Sequence, residues 1–272
     1  MAVLGLLAAI VGFVVTPQKP NGLLRSSATS LTAEGSYPIG TVNGHEPSGL
    51  GPPRSGAIAG YKESYVTDFS GRSMPRGWIT YSGVPGGDPG AEFGMDHVVV
   101  SGGLLKLNAF QDPAFHDQWV TGGVGQFGHS QTYGAYFVRF RLTGAGPAAV
   151  ALLWPTDNSW PPEIDFSETL GPTNATTATV HFDAVNNEDK RSLQLDMTRW
   201  HTWGVIWTPT SVTYVVDGHT WGSVDVHSEI PHVPMSLALQ EQTWCTSGYA
   251  CPTTPESMDV AWVAEYTPKR PA

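Results

Sequence analysis

From about Gly60 to Pro268 the chain alternates short apolar stretches with clusters of glycine, proline, serine and asparagine. The stretches VVVSGGLLKLNAF, YGAYFVRFRL, PAAVALLW, ATTATVHF, TWGVIW and SVTYVVDG have the length and β-branched or aromatic content of strands. In YGAYFVRFRL, Tyr136, Val138, Phe140 and Leu142 alternate with Phe137, Arg139 and Arg141, the period of a half-buried strand. VVDGH and TPTS carry hairpin-turn chemistry. No long amphipathic helix and no internal repeat stands out. The pattern predicts one all-β domain over residues 60–268. Residues 16–59, rich in Gly, Pro and Ser without a sustained period, read as a disordered linker. Residues 1–15, MAVLGLLAAIVGFVV, form an uncharged apolar run shorter than the roughly 18–20 residues a membrane span needs. They fit the apolar core of a secretory signal, although no basic segment precedes them, or a truncated anchor.

Composition agrees with many turns around an ordinary core. The 272 residues include 31 Gly, 22 Pro and 10 Trp, with 40% apolar and 14% charged positions. A net charge of −10 repels phosphate backbones and anionic lipid, so nucleic acid and membrane surface are not expected partners. A neutral polysaccharide meets no such barrier. The two cysteines, Cys245 and Cys251 in CTSGYAC, are too few for a structural zinc site. In an exported protein they are expected to close a small disulfide loop; otherwise they are two thiols. The expectation is a secreted or cell-surface monomer.

The densest candidate chemistry is WPPEIDFSETLG, residues 160–171, with Glu163, Asp165 and Glu168. On a regular strand Glu163 and Asp165 share a face, and Glu168 points away. One extra residue in a β-bulge at Phe166–Ser167 returns Glu168 to their side. Two carboxyls about 5–5.5 Å apart suit glycosidic cleavage with retained configuration, one attacking the anomeric carbon and the other protonating the leaving oxygen. Asp165 would order the charges, and Glu168, as the acid, should hold a proton. Three acids in six residues ordinarily mark a solvated strand edge or a cation site. Here Ile164 and Phe166 interleave with them and Trp154 and Trp160 lie upstream, which favours a lined cleft.

At these residues the sequence resembles glycoside hydrolase family 16, the laminarinases, lichenases, agarases and carrageenases. The motif E-x-D-x-x-E stands as Glu163, Asp165 and Glu168. TDFSG, TGGV, QTYGAYFVRFRL, ALLWP, WPPEIDF, TATVHF, WHTWGVIWTPTSVTYVVDG and MDVAWVAEY follow the family's order across about residues 61–266. The resemblance implies a concanavalin-like β-jelly-roll sandwich of two antiparallel sheets with a concave substrate cleft. It also implies retaining endo-hydrolysis of β-linked glycan, with Glu163 as nucleophile, Asp165 as its assistant and Glu168 as acid/base. β-1,3- or mixed β-1,3/1,4-glucan is the expected substrate. A transglycosylase on the same scaffold and a lectin-like sandwich without catalysis are the alternatives. Two positions depart from the pattern. Where members hold structural calcium through an Asp of the closing strand, this chain has Ala261, with Asp259 two residues earlier, so no metal or other cofactor is expected. SLALQEQTW replaces an asparagine-containing stretch, which implies a changed set of sugar contacts.

Trp160 is the leading candidate for stacking on a pyranose. Trp154, Trp119 and Trp244 divide between subsite and core, whereas Trp203 and Trp207 share one strand face and read as core. His181, on the strand expected beside the carboxylates, is a candidate partner for a carboxylate or a sugar hydroxyl. Gln240 and Gln242 share a face with Trp244 and would bind sugar hydroxyls if that face lines the cleft. GHSQ around Ser130 lacks the G-x-S-x-G elbow of a serine hydrolase.

Overall fold

A computed structural model describes residues 37–86 and 88–269. The apolar run 1–15 and residues 16–36 of the expected linker lie outside the described residues. Among the described residues, eighteen strands follow one another: β1 (Thr41–Val42), β2 (Leu50–Gly51), β3 (Tyr61–Thr67), β4 (Ile79–Thr80), β5 (Val98–Ser101), β6 (Leu104–Asp112), β7 (Gln118–Val120), β8 (Gly123–Gly125), β9 (Gly134–Leu142), β10 (Ala148–Pro155), β11 (Glu163–Glu168), β12 (Ala175–Phe182), β13 (Asn187–Gln194), β14 (His201–Trp207), β15 (Val212–Val216), β16 (His219–Val224), β17 (Met235–Gln242) and β18 (Glu256–Pro268). The helical segments between them are, among the described residues, short 3-10 turns.

The strands form a β-jelly-roll sandwich of antiparallel sheets. One sheet has the order β13-β12-β11-β10-β17-β8-β4. The other runs β16-β15-β14-β9-β18-β6-β5, with β3 added on β18 and β7 on β6. The two expected hairpins are present. Thr208–Ser211 joins β14 to β15, and Asp217–Gly218 joins β15 to β16 with both residues at positive φ (46° and 83°). A two-residue turn that follows the strands' twist requires that conformation, and Gly218 adopts it without a Cβ clash.

The main core lies between the sheets. Tyr136, Val138 and Phe140 of β9 meet Ala151 and Leu153 of β10, Ile164 and Phe166 of β11, and Leu237 and Leu239 of β17. Trp203 and Trp207 are fully buried there. The alternation in YGAYFVRFRL therefore identifies the inward face, but the other face is not solvated. Ala135 and Phe137 join Trp262, Ala264 and Tyr266 in a second apolar cluster on the outer side of the nine-stranded sheet, against Tyr37 and Ile58.

That second cluster corrects the linker expectation for residues 37–59. The segment straps the outer face rather than trailing from it. Trp262 Nε1 donates to the Leu50 carbonyl (3.0 Å) and Thr202 Oγ1 to that of Ile39 (2.8 Å). The buried Arg139 guanidinium donates to Ser48 Oγ (2.9 Å), the Ser48 carbonyl (3.1 Å) and Thr202 Oγ1 (3.1 Å). Gly and Pro mimic linker composition here because the strap borrows its apolar and polar partners from distant strands.

Candidate active site

Ile164 and Phe166 of β11 point into the core with no exposed surface, so Glu163 and Asp165 emerge on the opposite, outer face of the seven-stranded sheet. Against β12 the register runs Glu163–His181, Ile164–Val180, Asp165–Thr179 and then Glu168–Thr177. Two residues of β11, Phe166 and Ser167, thus oppose one of β12, Ala178, and the register with β10 also breaks, between Ala151 and Leu152. This bulge covers Phe166–Ser167. Hydroxyls pin it: Ser167 Oγ lies 3.0 Å from Thr176 Oγ1, which also lies 3.1 Å from the Glu168 carbonyl. Glu168 returns to the face of Glu163 and Asp165, and all three line one cleft.

The cluster is buried and tightly partnered, with Glu163 2% and Asp165 3% exposed. Trp160 Nε1 donates to Glu163 Oε2 at 2.7 Å, and Thr177 Oγ1 donates to Glu168 Oε2 at 3.2 Å. His181 Nε2 lies 3.1 Å from Asp165 Oδ2, and its Nδ1 lies 2.9 Å from Asn186 Oδ1. Burial, then the Asp165 charge, pushes Glu163 well above the usual carboxylate range, against the pull of His181 and the Trp160 N–H. The same two causes raise Glu168 to about 7, opposed by Lys190, His181 and the Thr177 hydroxyl. Burial by itself would lower His181, but its hydrogen bond to Asp165 and the charges of Asp165 and Glu163 outweigh burial and raise it to about 10. The site therefore keeps an imidazolium against its carboxylates at neutral pH. The protons of the two glutamates belong to the coupled cluster.

Glu163, Asp165 and His181 each offer an atom within 4.8 Å of the others, the spacing of a small cation site. Both His181 nitrogens are engaged, however, and the ring's charge would have to leave before a cation could enter. At the expected calcium position, Ala261 is buried in the outer apolar cluster. Asp259 is taken up by Arg141 (3.2 Å) and Ser257 Oγ (2.9 Å).

The cleft walls gather most of the expected residues. Trp160, His181, Gln240, Gln242 and Trp244 line it, with Ala148, Val150 and Leu152 as its floor. The cross-strand pairs Ala148–Gln242 and Val150–Gln240 put both glutamines on this face. Cys245 and Cys251 are joined in a disulfide beside Trp244, whose ring stacks on Tyr249 (5.7 Å between centroids). Two aromatic expectations need correction. Trp154 is only 2% exposed, packs with Tyr81, Phe93 and Trp160, and sends its N–H to Asn158 Oδ1 (3.1 Å), so its ring is packing material. Trp119 sits on β7, which pairs with β6 of the other sheet, and is not among the cleft-lining side chains.

Other neighbours of the site were not anticipated. Tyr81 and Phe127 lie over β8, where a Cβ on Gly123 would come within 2.5 Å of the Tyr81 ring and one on Gly125 within 2.4 Å of Phe127. The alternating glycines of TGGVG carried that signal, since an aromatic ring lies flat on a strand only where side chains are missing. Lys190 and Glu188, on the charged edge strand β13, left no such trace.

The family model for "Glycosyl hydrolases family 16" matches residues 90–264. Over 117 residues the chain is 34% identical to the endo-1,3-1,4-beta-glycanase ExsH of Rhizobium meliloti (strain 1021), which covers 40% of this chain and 24% of that protein. The chain thus spans about a quarter of the length of this relative. Among solved structures, the laminarinase of Rhodothermus marinus superposes with a TM-score of 0.69 at 19% identity, covering 77% of this chain and 98% of its own. LamA of Z. galactanivorans, solved with laminaritriose and laminaritetraose, superposes with a TM-score of 0.66 at 15% identity, covering 75% and 98%. These two likenesses bear on the fold.

Proposed function

The chain belongs to glycosyl hydrolases family 16 and is a glycoside hydrolase, and from that premise we propose that it cuts β-1,3- or mixed β-1,3/1,4-glucan internally with retained anomeric configuration. The reading rests on one observation, the bulge in β11 that returns Glu168 to the side of Glu163 within a single cleft. Glu163, in its ionised form, attacks the anomeric carbon as the bond from that carbon to the glycosidic oxygen breaks. Its Oε2 accepts the Trp160 N–H, which leaves the other carboxyl oxygen for the new bond. Glu168 gives its proton to the departing glycosidic oxygen. Once that half of the glycan has left, Glu168 takes a proton from water, and the oxygen of that water displaces Glu163 from the sugar. Asp165, 3.1 Å from His181 Nε2, holds that imidazole beside Glu163, which becomes a carboxylate again when water displaces it. Trp160 and Trp244 offer aromatic faces to the apolar side of the pyranose rings, and Gln240 and Gln242 offer amides to its hydroxyls. The similarity to a relative named for endo-1,3-1,4 cleavage supports the linkage. A disulfide joining Cys245 to Cys251 supports export to an oxidising compartment.

Reducing-end release from laminarin and lichenan tests this reading. Glu163→Gln is expected to lower turnover at least about a thousandfold, as loss of a covalent nucleophile does, while circular dichroism and melting stay near wild type. Full activity of the variant on every β-glucan tried would refute the assignment. Tight glycan binding by the wild type without new reducing ends would favour a lectin-like sandwich, and predominant transfer to added acceptor sugar would favour a transglycosylase.

A further inference from the structure

The edge strand β13 reads as a solvated run of charge, NEDKRSLQ, but its register brings half of that charge to the cleft face. His181 of β12 pairs with Glu188 and Thr179 with Lys190, while on the other side of β12 the same residues pair with Glu163 and Asp165. Directly paired residues share a sheet face, so Glu188 and Lys190 stand on the side of the carboxylates. Asp189, Arg191 and Leu193 alternate to the other side, where Leu193 packs against the core. Glu188 Oε1 lies 3.8 Å from His181 Nδ1, and its Oε2 lies 3.4 Å from Lys190 Nζ. Charges of alternating sign therefore run from Asp165 through His181 and Glu188 to Lys190, and Lys190 stands on β13 two residues before Ser192, the residue level with Glu168.

We propose that Lys190 is a positioning residue for the proton donor, tuning Glu168 through space from the edge strand. The proposal rests on the assignment of Glu168 as acid/base. The groups facing Glu168 are Asp165 on its own strand, Thr177 and His181 on β12, Lys190 on β13 and Tyr249 beyond β17. Asp165 and burial make the carboxyl cling to its proton; Thr177 donates a single hydrogen bond. The positive charge of His181 is shared between Asp165 and Glu188. Lys190 is the remaining cation of this set, and it is the first of the influences that oppose burial and Asp165. Glu168 and Glu188 act on Lys190 in return. A donor that serves as acid in one step and base in the next works best with its proton balanced near the working pH, and a nearby ammonium supplies that balance. Lys190 keeps 36% of its side chain in water, so screening limits its influence.

The experiment compares pH profiles of kcat/KM on lichenan for the wild type, Lys190→Met, Lys190→Arg and Glu168→Gln. Lys190→Met is expected to move the alkaline limb upward by about 0.5–1 pH unit, with kcat on the acid side down a few-fold and KM held. Lys190→Arg should keep the wild-type limb. Glu168→Gln should lose nearly all activity on lichenan. If Glu168→Gln is inactive but Lys190→Met leaves the limb in place, or raises KM with the limb unmoved, Lys190 has no part in tuning the donor. If Glu168→Gln keeps both activity and limb, the acid/base assignment fails, and this proposal fails with it.

Discussion

Glu163 and Glu168 differ in what holds their oxygens, and the roles proposed for them rest on that difference. Glu163 accepts a short indole N–H, which together with His181 favours its anion, while burial and the Asp165 charge favour its protonated form. Glu168 has a hydroxyl and a partly solvated ammonium, which leave its proton available at about 7. A carboxyl raised in this way is the acid below that pH and is lost as a donor above it. The kcat/KM profile should therefore fall on the alkaline side around pH 7, a limb far above that of an ordinary carboxylate. Trp160→Phe keeps an aromatic face but deletes the N–H to Glu163. A hydrogen bond to a charged group contributes about 1.5–3 kcal/mol, so kcat should drop roughly 10- to 100-fold with a much smaller change in KM. A KM-only effect would make Trp160 a stacking residue with no influence on Glu163.

Among the elements, β11 was legible in the sequence because its chemistry is local. The spacing of Glu163, Asp165 and Glu168 cannot share a face without an extra residue, and Ile164 and Phe166 show which side is core. His181, Gln240 and Gln242 were legible for the same reason, since strand alternation assigns their face. Trp119 and Trp154 misled because an aromatic residue type by itself says nothing about which sheet or depth it occupies. Lys190 was hidden because its partners lie one and two strands away, a relation set by register rather than spacing. The strap was hidden likewise: Ser48, Leu50 and Ile39 find their partners on β9, β14 and β18. A chain beginning at Gly60 would uncover the outer sheet face around Phe137 and Trp262 and leave Arg139 without Ser48. At roughly 1.5–3 kcal/mol for each large side chain returned to water, it should lose at least about 3 kcal/mol of stability relative to a chain beginning at Tyr37. Equal urea midpoints for the two would show that the strap is ornamental.

Across the whole molecule, buried carboxyls make stability depend on pH. Burial raises Glu241 and Glu265 well above the usual range and Glu256 to about 7, in addition to Glu163 and Glu168 in the cleft. In the unfolded chain these groups ionise near 4.5. Between that value and the folded ones the native state binds more protons. Their stabilisation is complete below about pH 4.5 and is lost as pH rises through 7 and beyond. Glu241 and Glu256 titrate as one pair, and Tm should fall by roughly 5 °C between pH 5 and pH 8. A flat or rising Tm would mean that these carboxyls are already ionised in the fold. At this scale too, the proposed chemistry depends on the sandwich, because a bulge in one strand brings two glutamates into one cleft. Proton NMR of the first product released from lichenan reads that geometry. The anomeric signal should appear first as the β form and drift to the equilibrium mixture. An α anomer appearing first would mean inversion and would contradict the proposed double displacement.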